Sequence, residues 1–324
     1  MKRLLGGLAV ALSALFAIAP ATRAAPDATP AQPAPTTQPQ KFIRFIDRAE
    51  AGGELDTADV TYQNAKGVSI HLVAAVHVGE RAYYDELSKS FESYDALLYE
   101  LIMSKDAAPP SGGDDRPKST DFVSESQQLL KRLLNLEFQL DAIDYTKPNF
   151  VHADLDKKTF QKMEADRGES LLSLMVQQAM SAWSTQPPGA ANDPQADYGD
   201  LVQVLCRPDG ERQLKLLLAK QMDDLEAVSA GLDGPGGSVI LTERNKAAMA
   251  TLDRTLAQGK TNVAIFFGAA HMPDMSQRLE SRGFTPVAVQ WHKAWDMTIR
   301  PNEPSMAEKL FNSLLDSMGA DPGK

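Results

Sequence analysis

The sequence is poor in cysteine and in positive charge. Its single cysteine, Cys206, can form no disulfide within the chain and no cysteine-based zinc cluster. Lys and Arg number 33 against 43 Asp and Glu, so the net charge is −10, and the basic surface of a nucleic-acid-binding protein is not expected. The sequence also lacks a P-loop, a GxSxG elbow, an HExxH motif and a dinucleotide-binding glycine fingerprint. These absences exclude the commonest nucleotide, serine-hydrolase and zincin sites.

The first residues have the order of a secretory signal peptide. Two positive charges precede an apolar run over 4–19, and small residues follow it. We predict a signal peptide over 1–24 and a disordered linker over 25–40, which is rich in Pro, Ala, Thr and Gln. The protein is then exported, to a periplasm or the exterior, with no stable membrane span after cleavage. An uncleaved membrane anchor is the alternative.

The hydrophobic pattern predicts one α/β domain over residues 41–300. Short apolar segments near both ends predict strands, with amphipathic stretches typical of helices between them. We expect a central mixed, mostly parallel sheet, built from N- and C-terminal βαβ-like halves. A helical insertion over about 121–230 separates the halves, and 301–324 is a C-terminal tail with a short helix.

Two of the predicted strands end in a histidine that follows small residues. The first, LVAAVH, ends at His77, and the second, IFFGAAH, ends at His271. Open α/β sheets bind their ligands at the carboxyl ends of strands. Either histidine alone is compatible with a structural role, but their equivalent placement predicts one shared functional site.

A glutamate occupies a strand that otherwise contains residues typical of a buried strand. Glu100 lies within ALLYELI, and an ionised carboxylate there is costly unless it is paired or bound to a metal. An exposed strand end or a neighbouring arginine is the alternative explanation. Two histidines and a carboxylate together form a reasonable divalent-metal site, at which a bound water becomes acidic enough to act as a nucleophile.

Other polar residues have both a functional and a structural interpretation. Asn245 falls on the apolar face of a predicted helix and needs a hydrogen-bond partner, so Arg244 and Asn245 are predicted to orient a ligand or bind an oxyanion. A buried hydrogen bond between helix and sheet is the alternative. The segment from His152 to Asp154 could support the site, although a helix cap is favoured. His71 is either a core residue or a neighbour of the site.

Taken together, these residues resemble the TraB/PrgY/GumN superfamily, which includes the TIKI proteases. The family pattern is a strand ending in GxxH, a glutamate on the following strand, a helical region, an ERN-type helix and a second strand ending in GxxH. Here the second half reads ERN at 243–245 and GAAH at 268–271. In the first half Glu100 matches the glutamate, and AAVH has Ala74 where the family has glycine.

The resemblance implies the α/β fold that erythromycin esterase and ChaN-like proteins share, and divalent-metal-dependent peptidase activity as in the TIKI branch. It assigns the metal (Mn, Co or Zn) to His77, Glu100 and His271, with Glu100 alternatively a general base. Arg244 and Asn245 would orient a peptide or small-molecule substrate. Two alternatives stay open. One is a protein of the same fold that binds a metal, haem or peptide without turnover, and the other is a metal-free, esterase-like hydrolase.

Overall fold

The structure, a computed structural model, describes residues 41–113, 134, 136–167, 209–232 and 238–299. The predicted signal peptide, linker and tail helix, and much of the predicted helical insertion, lie outside the described residues. Within the described ranges, no helix is both long enough and apolar enough to cross a membrane.

The described part of the chain alternates strands and helices. In chain order its strands are β1 (Ile43–Asp47), β2 (Gly53–Gln63), β3 (Ser69–Ala75), β4 (Val78–Gly79), β5 (Ala96–Tyr99), β6 (Glu137–Phe138), β7 (Phe150–His152), β8 (Asn262–Gly268) and β9 (Thr285–Asp296). Its α-helices are α1 (Arg81–Phe91), α2 (Gln139–Ala142), α3 (Lys157–Arg167), α4 (Gly210–Leu232), α5 (Arg244–Ala257) and α6 (Met272–Glu280). Short 3₁₀ turns cover Ala49–Ala51 and Ala269–His271, and a π-helical turn covers Val239–Glu243.

The main sheet has a parallel centre and an antiparallel arm. Strands β3, β8, β5 and β7 lie side by side in that order and run parallel to one another. Strand β2 pairs antiparallel with β1 over its first half and with β3 over its second half, and β9 pairs with it along the other edge. The predicted α/β fold with a mixed central sheet is therefore confirmed.

Part of the predicted helical insertion is strand. Phe150–His152 pairs with β5 at the edge of the main sheet, and Glu137–Phe138 forms a small antiparallel pair with β4. Segments of two or three residues are too short to show a periodicity, and their extended form depends on partners far away in the sequence. The sheet is consequently not built from the two ends of the domain alone.

Apolar side chains cover both faces of the parallel centre, as expected for parallel strands. Neighbouring residues of β8 point to opposite faces: Phe266 packs against Phe91 of α1, with ring centroids 4.8 Å apart, whereas Phe267 belongs to the cluster under α5 and α6. The side chains of those two helices in that cluster are Ala248, Met249, Leu252, Met272, Met275 and Leu279. Because helices cover both faces of the sheet, a ligand-binding site is expected at the ends of the strands.

Candidate functional site

The carboxyl ends of three adjacent parallel strands bring the predicted residues together. His77 lies two residues after β3, His271 ends the 3₁₀ turn that follows β8, and Glu100 comes directly after β5. They meet at Gly268. A Cβ atom there would lie 3.4 Å from Oε2 of Glu100, 3.7 Å from Nε2 of His77 and 3.8 Å from Cδ2 of His271. The missing side chain of residue 268 therefore leaves space between the two imidazoles and the carboxylate.

Glu100 is held by hydrogen bonds to both of its carboxylate oxygens. Oε2 accepts from the backbone N–H of Gly268 at 2.6 Å, and Oε1 accepts from Nη2 of Arg244 at 2.6 Å. Oε1 also lies 3.5 Å from Nε2 of His271. Burial alone would raise the pKa of Glu100, but His271, Arg244 and His77 together hold it well below its usual range. Glu100 is therefore a carboxylate at neutral pH, which does not suit it to the role of a general acid.

Arg244 uses most of its donors within the protein. Nε donates to Oδ1 of Asp154 at 2.9 Å, Nη2 donates to Oδ2 of Asp154 at 2.5 Å as well as to Glu100, and Nη1 lies 3.5 Å from Nε2 of His271. Burial would lower the pKa of Arg244, but the hydrogen bond with Asp154 and the charge of Glu100 raise it. Within the described ranges, these contacts use four of the five N–H donors of the guanidinium, and one on Nη1 is left for the predicted contact with substrate.

Asn245 is fully buried and contacts His271. Its Nδ2 donates to the backbone carbonyl of His271 at 3.2 Å and to Oδ2 of Asp274 at 2.7 Å. These two acceptors fix the orientation of the amide, so Oδ1 faces Nδ1 of His271 at 2.6 Å and that nitrogen carries the proton. Both polar atoms of Asn245 are bonded within the protein, as in the structural alternative, and its contact with substrate stays a prediction. When His271 is neutral, its Nε2 lone pair therefore faces the site.

Asp154 belongs to the site. The helix cap that the sequence favoured for the segment from His152 to Asp154 is made instead by Asp156, two residues later. Asp156 accepts from the backbone N–H of Thr159 at 3.1 Å and from its hydroxyl at 2.6 Å, which caps α3. The Asp154 side chain is completely buried against Arg244. Its place immediately beyond the carboxyl end of β7 is the sequence signal that could have identified it.

Of two other residues, His71 lies away from the site and Ala74 belongs to the core. Nε2 of His71 is 3.0 Å from Oδ1 of Asn262, at the amino ends of β3 and β8, so His71 is remote from the strand ends that carry His77. Ala74 is fully buried in the cluster under α5 and α6. Its methyl group, which replaces the glycine of the family pattern, is thus part of the core.

His77 is the exposed member of the cluster. Its Nδ1 lies 3.3 Å from Oε1 of Gln139, a residue that the sequence pattern does not single out. Gln139 comes from the region predicted as a helical insertion, and no periodicity or motif marks it. The exposure of His77 opens the cluster to solvent on the side of β3.

A divalent cation fits these side chains in the kind of donors they offer. Two imidazole nitrogens and a carboxylate suit zinc, manganese or cobalt, and the bonds to Glu100 leave further lone pairs on its oxygens. As the side chains stand, no group of three or more His, Cys, Asp or Glu among the described residues is arranged to hold a metal ion. Glu100 instead pairs with the guanidinium of Arg244, whose Nη2 lies 2.6 Å from Oε1.

Comparisons with protein-family models, with curated proteins and with solved structures find no match for this chain. The site must therefore be interpreted from its own geometry and chemistry.

Proposed function

We propose that the chain is a hydrolase, peptidase-like in its substrate, that works at the cluster of His77, Glu100 and His271 with a divalent metal ion as cofactor. The observation that carries the proposal is the convergence of two imidazoles and an ionised carboxylate on the space over Gly268. The order of the motifs along the chain, which resembles the TraB/PrgY/GumN pattern, supports the same function. An exported enzyme of this class would act in the periplasm or outside the cell.

The three residues of the cluster and two of their neighbours, Arg244 and Asn245, have roles in this proposal. His77, Glu100 and His271 would hold the cation, which when bound polarises a substrate carbonyl and acidifies a water molecule. Asn245 keeps the Nε2 lone pair of His271 directed at the site. Arg244 keeps Glu100 ionised and adds positive charge, which favours an oxyanion developing nearby.

The position of Arg244 favours a second candidate, a metal-free hydrolase. Its guanidinium already lies between Glu100 and His271, with Nη2 2.6 Å from the first and Nη1 3.5 Å from the second. In this form of the reaction the guanidinium of Arg244, instead of a metal ion, stabilises the negative charge that develops on the substrate. The exposed imidazole of His77 then acts as the general base towards water.

The test is hydrolysis by the full chain, purified after export, of a peptide library and a set of simple esters. Activity lost on chelation and restored by manganese, cobalt or zinc supports the metal-dependent form, and activity that survives exhaustive chelation supports the metal-free form. His77→Ala and His271→Ala should each abolish turnover. His71→Gln, a histidine change at the opposite end of the strands, should retain it. Saturable ligand binding with no product under any of these conditions would contradict both forms and identify a binding protein.

A further inference from the structure

Gln139 contacts His77 through both its backbone and its side chain, across 62 positions of sequence. The backbone N–H of Gln139 donates to the carbonyl of His77 at 2.9 Å, and its Oε1 faces Nδ1 of the imidazole. Next to this contact, the antiparallel pair continues with Val78 opposite Phe138 and Gly79 opposite Glu137. The turn that carries His77 is therefore fixed by a segment from elsewhere in the chain.

The side-chain amide of Gln139 lies between Tyr145 and His77. Gln139 is 4% exposed and lies beside buried apolar side chains such as Leu136 and Ile143. Its Nε2 donates to the hydroxyl of Tyr145 at 2.8 Å, and its Oε1 is the end that faces Nδ1 of His77. An amide oxygen can only accept, and the Nδ1 of a neutral His77 therefore carries the proton. The Nε2 lone pair is left for the space over Gly268.

The same arrangement occurs at His271, where Oδ1 of Asn245 accepts from Nδ1 at 2.6 Å. The two carboxamides come from unrelated parts of the chain, one from α5 and one from α2. A side-chain partner that fixes the tautomer of a histidine is typical of imidazoles that bind a metal or accept a proton at the other nitrogen. A leucine at position 139 would have suited the apolar surroundings of Gln139 without making this contact.

We propose that Gln139, oriented by Tyr145, is a positioning residue that holds His77 in the tautomer with the proton on Nδ1 and the lone pair on Nε2. The tautomer is inferred from the contacts alone. The use of the lone pair, to bind a metal or accept a proton, rests on the proposed function. The segment from Leu136 to Tyr145 is then part of the functional site, rather than a connection between the two halves of the sheet.

The experiment measures the tautomer of His77 by nitrogen NMR of the histidine side chains in the chelated full chain, with His77→Ala identifying the signal. The wild type and Gln139→Glu, which keeps an acceptor, should both show the proton on Nδ1. Gln139→Leu should show a mixture of tautomers and a loss of roughly 10–100-fold in kcat/KM or in zinc affinity. Gln258→Leu, the same change at an exposed position after α5, should alter neither.

Tyr145→Phe provides a second route if Gln139→Leu does not fold. It removes the partner of Nε2 and frees the amide to rotate, so the tautomers of His77 should again mix. A proton on Nε2 in the wild type, or an unchanged tautomer in both Gln139→Leu and Tyr145→Phe, would overturn the inference. The NMR measurement requires no turnover, so a wild type without hydrolytic activity would refute the proposed function and leave this inference standing.

Discussion

Arg244 donates from Nη2 to Oε1 of Glu100 at 2.6 Å, although 144 positions separate the two residues. The same nitrogen and Nε also bind Asp154, whose side chain is fully buried. One guanidinium thus faces two carboxylates in a region that excludes most of the solvent. Burying charges is costly, and the cost is offset only while every partner is present.

The first prediction concerns the loss of that guanidinium. Arg244→Met leaves Glu100 and Asp154 buried without their counter-charge, and we expect the free energy of unfolding to fall by about 3–5 kcal/mol. Arg81 provides the control, because it pairs with Asp85 on an exposed helix surface, where Arg81→Met should cost less than about 1 kcal/mol. Urea denaturation followed by circular dichroism measures both. Equal losses of unfolding free energy in the two variants would show that the buried network stabilises the fold no more than an exposed ion pair does.

The second prediction follows from the lowered pKa of Glu100. A carboxyl whose pKa is lower in the folded than in the unfolded chain stabilises the fold above the unfolded value of about 4.5, and this stabilisation is lost as the pH falls through the folded value. In chelated protein, the free energy of unfolding should therefore fall below pH 4.5 by up to about 1.4 kcal/mol per pH unit from this group. Glu100→Gln should show a correspondingly shallower slope.

The control for the pH series is the exposed Glu92, at the C-terminus of α1, where Glu92→Gln should leave the slope unchanged. Urea denaturation of the three proteins between pH 6 and the lowest pH at which they fold gives the slopes. Parallel curves for the wild type and Glu100→Gln would mean that Glu100 is not held ionised by its neighbours.

The third prediction is that Gly268→Ala lowers activity without lowering stability. Gly268 has φ −53°, which alanine adopts readily, and every atom a Cβ would meet is at least 3.4 Å away. Gly268→Ala should keep or slightly raise the stability, by roughly 0.4–1 kcal/mol, because the unfolded chain loses entropy. It should nevertheless lower kcat/KM at least tenfold, since the methyl group enters the space among His77, Glu100 and His271.

Gly67 supplies the opposite case. It lies in the turn between β2 and β3 with φ +78° and with nothing within 4 Å of a Cβ. Gly67→Ala should therefore reduce stability through backbone strain and leave kcat/KM unchanged. Thermal unfolding and peptide hydrolysis are measured on both variants. Gly268→Ala should lose activity and keep its stability, whereas Gly67→Ala should lose stability and keep its activity. Full activity in Gly268→Ala would show that the space over residue 268 is not used.

The sequence predicts the parts of the site that lie at the ends of regular strands. His77, Glu100 and His271 each follow an apolar segment, and the α/β rule that ligands bind at the carboxyl ends of strands places them together. The apolar periodicity around Asn245 also predicts correctly that this side chain needs a buried partner. The burial pattern alone could not decide between a substrate and the imidazole of His271 as that partner.

The remaining parts of the site depend on contacts between distant short segments. Asp154 follows a three-residue strand, and Gln139 begins a helix of a single turn. Neither element is long enough to produce a periodic pattern. The strand β7 is fixed by pairing with β5, and the helix directly follows β6, which pairs with β4. Asp154 also stands two residues before a true capping aspartate, so local capping rules fit its segment without involving the site.

The last prediction tests how Asn245 joins His271 to Asp274. Asn245→Asp keeps an acceptor for Nδ1 of His271, but it removes the donor to Asp274 and places a buried carboxylate beside Oδ2 of that residue, now 2.7 Å from Nδ2. Like charges at this distance repel, so the variant should lose both stability and activity. The second change, Asp274→Asn, returns a donor to the same contact, because the amide and the carboxylate have exchanged places.

We therefore expect the two changes to compensate each other. If the two single losses were additive, they would give an expected free energy of unfolding for the Asn245→Asp/Asp274→Asn protein. The measured value should exceed that expectation by roughly 0.5–3 kcal/mol, the range for residues in direct contact. Recovery will be incomplete, since the carbonyl of His271 loses its donor and Arg278 loses the carboxylate to which its Nε donates. Urea denaturation of the wild type, both single variants and the double variant gives the coupling. Strict additivity would mean that the amide of Asn245 does not bridge the two residues in solution, and the fixed tautomer of His271 would lose its structural basis.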